Sequence, residues 1–263
     1  MGLILTSIDE NGIATITLND EQNLNAMSEE MAAEFRLAVQ GLKTDEQLRA
    51  VVLKGAGRSF SAGGHLAMLK AKQNKSEKEN YEGMLDFYNS FLSITTLKVP
   101  VIAAMHGAAV GAGLCVACAA DIRIATESTK LGFTFLKLGL HPGMGCTFFL
   151  PRIVGVSRAT ELLATGRMLR SSDALAMGLV SSVCKNDELA SSVHSIIDEI
   201  LSCGPTATSQ LLETMRGDLA TLPDALKREA SCQAKNYKSG EFKEGLSAVA
   251  EKRLPAFSPS KRT

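Results

Sequence analysis

Tryptophan is absent from the 263 residues, and phenylalanine and tyrosine bring all aromatics to only 5%. That argues against a broad aromatic binding platform and for close helix and strand packing. An excess of charge of either sign is also missing: 28 Lys and Arg balance 28 Asp and Glu. Nothing therefore marks a nucleic-acid surface or an acidic-lipid surface. No apolar run approaches the roughly 20 residues of a membrane span. Leu3-Ile4-Leu5 is too short for a signal h-region and has no basic start, so secretion is not expected. Residues 260–263 do not match the peroxisomal tripeptide.

Six cysteines are present, Cys115, Cys118, Cys146, Cys184, Cys203 and Cys232, mostly in apolar or helical contexts. They read as reduced thiols of an intracellular protein, cytoplasmic or mitochondrial. Cys115 and Cys118 form one C-x-x-C, but no second pair completes a zinc site, so no metal is expected. Gly111-Ala112-Gly113 lacks the third glycine of a dinucleotide fingerprint, with Val116 in its place.

What is present is 45% hydrophobic content, ample for a full core. Two apolar runs, Leu3 to Ile8 and Ile13 to Leu18, flank Asn11-Gly12 and predict a hairpin. Ser28 precedes Glu29 and Glu30 and predicts a capped helix to about Lys43, with a stripe of Met31, Phe35, Leu37, Ala38 and Leu42. Strands are expected over Ala50 to Lys54, Val101 to Met105, Ile122 to Ala125, Lys130 to Phe133 and Leu179 to Val183. Helices are expected to about Leu97, from Thr147 to Val154, behind a cap at Ser171-Ser172-Asp173, and from Asp187 to Cys203. Pro205, Pro223 and Ser239-Gly240 punctuate further helices. Strands thus concentrate before Val183 and helices after it. The expected class is α/β: strand-strand-helix units over residues 1–200, then a helical region over 201–263 used for oligomerisation.

The chain is organised around Val99 to Asp121. A short apolar strand ends at His106-Gly107, a Gly-rich turn follows, and small apolar residues then suit a tightly packed helix. Such a turn aims backbone N–H groups at one point, where an anion or developing oxyanion would sit.

Taken in order, several pieces carry a family resemblance. They are Asn25-Ala26-Met27, Ser61-Ala62-Gly63-Gly64, Val99 to Ala104, Gly107 to Gly113, Ala120-Asp121-Ile122, Leu138-Gly139 with Pro142-Gly143, Leu163 to Gly166, Ala176 to Val180 and Glu251-Lys252-Arg253. The chain resembles the enoyl-CoA hydratase/isomerase, or crotonase, superfamily over nearly its whole length. The resemblance implies a crotonase-like spiral of ββα units, a helical C-terminal trimerisation region, and homotrimers or homohexamers. It implies an acyl-CoA thioester as ligand, with coenzyme A carried by the substrate and no separate cofactor. At the matching positions, the N–H groups of Gly64 and Ala112 would hold the thioester oxygen. Ala62, Gly63, Leu66, Gly111, Gly143, Phe133 and Leu136 would line the substrate, and Lys252 and Arg253 would either meet CoA phosphates or form a solvated helix face.

Two positions depart from the family pattern. Where its hydratases carry two catalytic glutamates, Cys115 and Phe135 stand here. Neither residue supplies the usual carboxylate, so isomerisation or decarboxylation is favoured over hydration on mechanism. His141 and, more speculatively, His65 are the substitute proton carriers. Cys115 could act as a weak acid or nucleophile if its helix-start position lowered the thiol pKa; otherwise it is a small buried hydrophobe. His106 and Asp121 read as structural hydrogen-bonding residues. The alternative to an enzyme is a non-catalytic acyl-CoA-binding or scaffold subunit.

Overall fold

The computed structural model describes residues 2–217 and 222–257; residues 260–263, which bear on the peroxisomal signal, lie outside them. The hairpin forms as expected. Strand β1 (Ile4–Ile8) pairs antiparallel with β2 (Ile13–Leu18), with Ile4 opposite Leu18 and Ile8 opposite Ala14. Helix α1 (Glu29–Lys43) follows, and the Ser28 hydroxyl accepts from the Met31 N–H. Its buried stripe is Met31, Ala32, Phe35, Val39 and Leu42. Leu37, placed in that stripe from sequence, is instead exposed.

Strand β3 (Ala50–Gly55), helices α2 (Leu66–Ala71) and α3 (Glu77–Leu92), strands β4 (Val101–Met105) and β5 (Ala108–Val110), and helix α4 (Ala112–Ala119) come next. Strands β6 (Ile122–Thr126) and β7 (Lys130–Gly132) precede helices α5 (Cys146–Val154) and α6 (Val156–Thr165). Strand β8 (Met168–Arg170), helix α7 (Ser171–Ala176), strand β9 (Ser182–Cys184) and helix α8 (Leu189–Leu201) complete the mixed part. Among the described residues three helices follow: α9 (Pro205–Arg216), α10 (Leu222–Asn236) and α11 (Gly240–Glu251).

The main sheet has the order β1-β2-β3-β4-β6-β9, parallel throughout except for β1. Strands buried on both faces read as continuous apolar runs, as β3 and β4 do. Their alternation divides the core. Ala14, Ile16, Val51, Leu53, Val101 and Ala103 pack on one side, among α1, α3 and α4. Ile13, Ala50, Val52, Ile102, Ala104 and Ile124 pack on the other, against Val193 and Ile197 of α8. The short strands β5, β7 and β8 form a second sheet. Every residue of α4 is buried, as an all-apolar helix requires.

Two expected elements shift. The strand expected at Leu179 to Val183 runs from Ser182 to Cys184, and Leu179 and Val180 are buried in the preceding turn. Ser171 is not a cap, because Arg170 holds that position. Instead the Ser171 hydroxyl reaches the carbonyls of Thr126 and Thr129, at 2.6 and 3.0 Å.

Candidate active site

Two loops meet beside β5. In the first, Ser61 N–H donates to the Ala108 carbonyl at 2.9 Å, and Val110 N–H donates to the Ser61 carbonyl at 3.0 Å. The Ser61 hydroxyl donates to the Asn25 carbonyl and accepts from Gly63 N–H, which fixes the turn from inside. Met27 N–H donates to the Gly63 carbonyl, and His65 N–H donates to the Met27 carbonyl. Gly64 N–H, between them, has no acceptor among the described residues.

The second loop ends β5 and starts α4. Gly111 N–H donates to the Gly132 carbonyl at 2.8 Å, and Gly111 sits at φ +54° as the residue before the helix. Ala112 is the first helical residue, so its N–H has no partner inside the helix, and none elsewhere among the described residues. The loops touch through Gly63. A Cβ on that residue would lie 2.8 Å from the Val110 carbonyl oxygen and 3.5 Å from Ala112 N. Its φ of +93° also needs glycine.

The two residues that carry these donors, Gly64 and Ala112, line a cavity of about 360 Å³. Ala62, Gly63, Gly64, Gly111 and Ala112 line one part of it. Leu66, Met68, Leu69, Met84, Phe87 and Tyr88 come from α2 and α3, and Phe135, Leu138, Leu140, His141 and Met144 from the loop after β7. No aspartate or glutamate is among the described lining residues.

Several sequence-selected residues thus come together: Gly64, Ala112, Ala62, Gly63, Leu66, Gly111, Phe135 and His141. His141 Nδ1 lies 2.8 Å from the Pro142 carbonyl oxygen. A carbonyl only accepts, so the neutral ring carries its proton on Nδ1 and its lone pair on Nε2.

Others fall elsewhere. Phe133 does not line the cavity; it is buried in the core. Leu136 is 44% exposed, also outside the lining, because the short 3-10 turn over Phe135–Leu138 sends successive side chains in different directions. His65 occupies the position before α2 without capping it, and lines a separate depression with Glu29, Glu30 and Lys75. Gly143 lies beneath the Tyr88 ring. The Cys115 thiol is fully buried, and burial beside Cys146 pushes its pKa well above the ordinary thiol value, opposite to the lowering that a helix start suggested. Arg253 pairs with Glu244 and Glu251, while Lys252 ends α11 at φ +52°. The Arg253 guanidinium holds the Glu244 carboxyl down to about 2.

The lining residues that sequence reasoning missed belong mainly to α2, α3 and the loop tip: Met68, Leu69, Met84, Phe87, Tyr88, Leu138 and Leu140. The spacing of Met84, Phe87 and Tyr88 at i, i+3 and i+4 was the available signal. His106 is structural, with Nε2 2.9 Å from the Gly57 carbonyl oxygen. Together with His194 it lines a larger, open groove of about 790 Å³ on the α8 side of the sheet, apart from Gly64 and Ala112. No cluster of metal-ligating side chains occurs among the described residues, and none of their helices is long and apolar enough to cross a membrane.

A family model described as enoyl-CoA hydratase/isomerase matches residues 9–260. The 1,2-epoxyphenylacetyl-CoA isomerase of Escherichia coli is 33% identical over 260 residues, which are 98% of each chain. The short-chain-enoyl-CoA hydratase of Clostridium acetobutylicum is 32% identical over 246 residues, 93% of each chain. The crystal structure of an enoyl-CoA hydratase from Bacillus anthracis superposes with a TM-score of 0.91 at 31% identity, covering 98% of this chain and 100% of that one.

Proposed function

The chain belongs to the enoyl-CoA hydratase/isomerase family, and from that premise we propose that it acts on an acyl-CoA thioester by stabilising an enolate at Gly64 and Ala112. The observation that carries the reading is the pair of acceptor-free N–H groups on two touching loops, carried by residues that line one cavity. A thioester oxygen between them gains negative charge as the enolate forms. Each such donor typically contributes roughly 2.7–4 kcal/mol to lowering the barrier.

Enolate-forming isomerisation or decarboxylation fits the lining better than addition of water. Water addition in this family calls on two carboxylates, whereas Cys115 is buried, Phe135 is apolar, and no acid is among the described residues lining the cavity. In decarboxylation the C–C bond to the carboxylate breaks, its electron pair enters the thioester as the enolate, and carbon dioxide leaves. The α carbon then takes up a proton, and no base is required. Isomerisation needs a base at the α carbon, and His141 Nε2 is the candidate. No separate cofactor enters this scheme.

Exposed apolar side chains on the last three helices, among them Leu211, Met215, Leu226, Leu246 and Val249, support assembly through this region into a trimer or hexamer. Arg253 would have to leave Glu244 to meet a CoA phosphate.

The test is turnover of crotonyl-CoA, 3-hexenoyl-CoA and methylmalonyl-CoA by the purified protein. Isomerisation or decarboxylation should exceed hydration, and His141→Ala should lower isomerisation by about 10²–10⁴-fold. Fast crotonyl-CoA hydration that survives His141→Ala and His65→Ala would overturn this reading. Tight acyl-CoA binding without turnover of any of the three would mark a non-catalytic binding subunit instead.

A further inference from the structure

One glycine near the cavity is not explained by its backbone. Gly143 is absent from the positive-φ positions, so its conformation is open to other residues. Its missing side chain is explained by Tyr88. A Cβ on Gly143 would lie 2.3 Å from the Tyr88 hydroxyl oxygen and 2.9 Å from Cζ. The ring of Tyr88 therefore occupies the volume that any side chain at 143 would fill. Tyr88 is half-buried and lines the same cavity as Gly64 and Ala112.

The phenol arrives there with its hydrogen-bonding capacity unspent. It makes no hydrogen bond within the protein among the described residues, and it stays accessible from the cavity. Its titratable neighbours from the packed elements are the thiols of Cys115 on α4 and Cys146 on α5, weak hydrogen-bonding groups. The other polar side chains toward that side are already engaged, save that Asn80 Oδ1 is buried without a partner among the described residues. Lys72 Nζ is 2.7 Å from Glu29 Oε1, Asn80 Nδ2 donates to the Lys72 carbonyl, and His141 Nδ1 faces the Pro142 carbonyl. The Thr134 hydroxyl lies toward Gly111, at the other loop. A hydroxyl that only water reaches in the free protein can exchange that water for a ligand oxygen.

We propose that Tyr88 is a specificity-determining residue, whose hydroxyl donates a hydrogen bond to an oxygen carried by the acyl chain beyond the thioester. The proposal rests on the reading of this cavity as the acyl-CoA site. The favoured ligands are oxygenated short-chain acyl-CoAs, with a keto or hydroxyl group at C3 or C4. Burial raises the phenol's pKa above its ordinary value of 10.0, so at neutral pH the group donates a proton in a hydrogen bond and does not act as a base.

The experiment is calorimetric titration of the full chain at pH 7 with butyryl-CoA, acetoacetyl-CoA and 4-hydroxybutyryl-CoA. The wild type should bind at least one oxygenated ester about 10-fold more tightly than butyryl-CoA. Tyr88→Phe should bring that ratio to within about 2-fold through weaker binding of the oxygenated ester, which a merely structural ring would not do. Gly143→Ala, which displaces the phenol with Tyr88 retained, should lose the same preference. Equal binding of all three esters by the wild type would overturn the proposal. So would a preference that persists in Tyr88→Phe with butyryl-CoA binding intact. If none of the esters binds better than free CoA, the acyl-CoA reading itself fails, and the proposal with it.

Discussion

Asp121 and Arg216, 95 residues apart, clasp each other at the start of the central strand. Arg216 Nε donates to Asp121 Oδ1 at 2.9 Å, and Nη2 reaches Oδ2. The same Oδ2 accepts the Val101 N–H at 2.8 Å, and Arg216 also donates to the carbonyls of Thr95, Leu97 and Val99. Both side chains are largely buried, at 23% exposure for Arg216 and 17% for Asp121. The pair fastens α9 to β4, the strand that leads into β5 and its Gly-rich turn. Arg216→Ala leaves a carboxylate and three carbonyls short of a donor, and should cost about 3 kcal/mol. Asp121→Asn leaves the guanidinium short of its counter-charge and should cost about 2 kcal/mol. Urea unfolding measures both. A loss below about 0.5 kcal/mol in each variant, the range of an ordinary surface substitution, would show the clasp to be ornamental to stability.

Gly63 and Gly139 provide a matched pair of left-handed glycines with different surroundings. Gly139 has φ +70° and nothing within 4 Å of an added methyl, so Gly139→Ala should cost only backbone strain, about 1–2 kcal/mol. At Gly63 the same strain is joined by a methyl 2.8 Å from the Val110 carbonyl oxygen, which is backbone and cannot swing away. Gly63→Ala should therefore push the two donor loops apart. It should weaken acyl-CoA binding at least tenfold, while Gly139→Ala leaves binding within about twofold. Equal affinities in the two variants would separate ligand binding from the contact between the loops.

The hairpin, α1, the central strands and the two Gly-rich loops were legible because each is written locally. Asn11-Gly12, Ser28 and alternating apolar runs act within a few residues of themselves. Leu37 is apolar but stands two residues from Phe35, off the helical spacing of three to four, and so faces outward while Val39 completes the stripe. The other errors came where distant segments decide the outcome. Ser171 looks like a cap, yet its hydroxyl is drawn to Thr126 and Thr129, more than 40 residues away. At the site, glycine spacing and family resemblance pointed to Gly64 and Ala112, which line one cavity. The far wall could not be placed in this way. Phe133 and Leu136 flank Phe135 in sequence and share none of its exposure to the cavity, and Tyr88 is matched to Gly143 only through the folded contact.

Cys115 and Cys118 show how the fold decides the chemistry of a thiol. Both lie on the fully buried helix α4, and Cys146 is buried beside Cys115. Burial disfavours the thiolate and pushes the Cys118 pKa up to about 12. Since the thiolate is the reactive species, neither α4 thiol should react at pH 8, and raising the pH to 9 should not recruit them. Cys203 is exposed, and Cys184 and Cys232 are half-buried. Titration of the native protein with a chromogenic disulfide should give fast reaction at Cys203, slower reaction at Cys184 and Cys232, and all six thiols only after denaturation. Peptide mapping identifies which thiols are modified. Labelling of Cys115 in the native protein at a rate like that of Cys203 would contradict the closed packing behind the turn at Gly111 and Ala112. It would also return Cys115 to consideration as a reacting group.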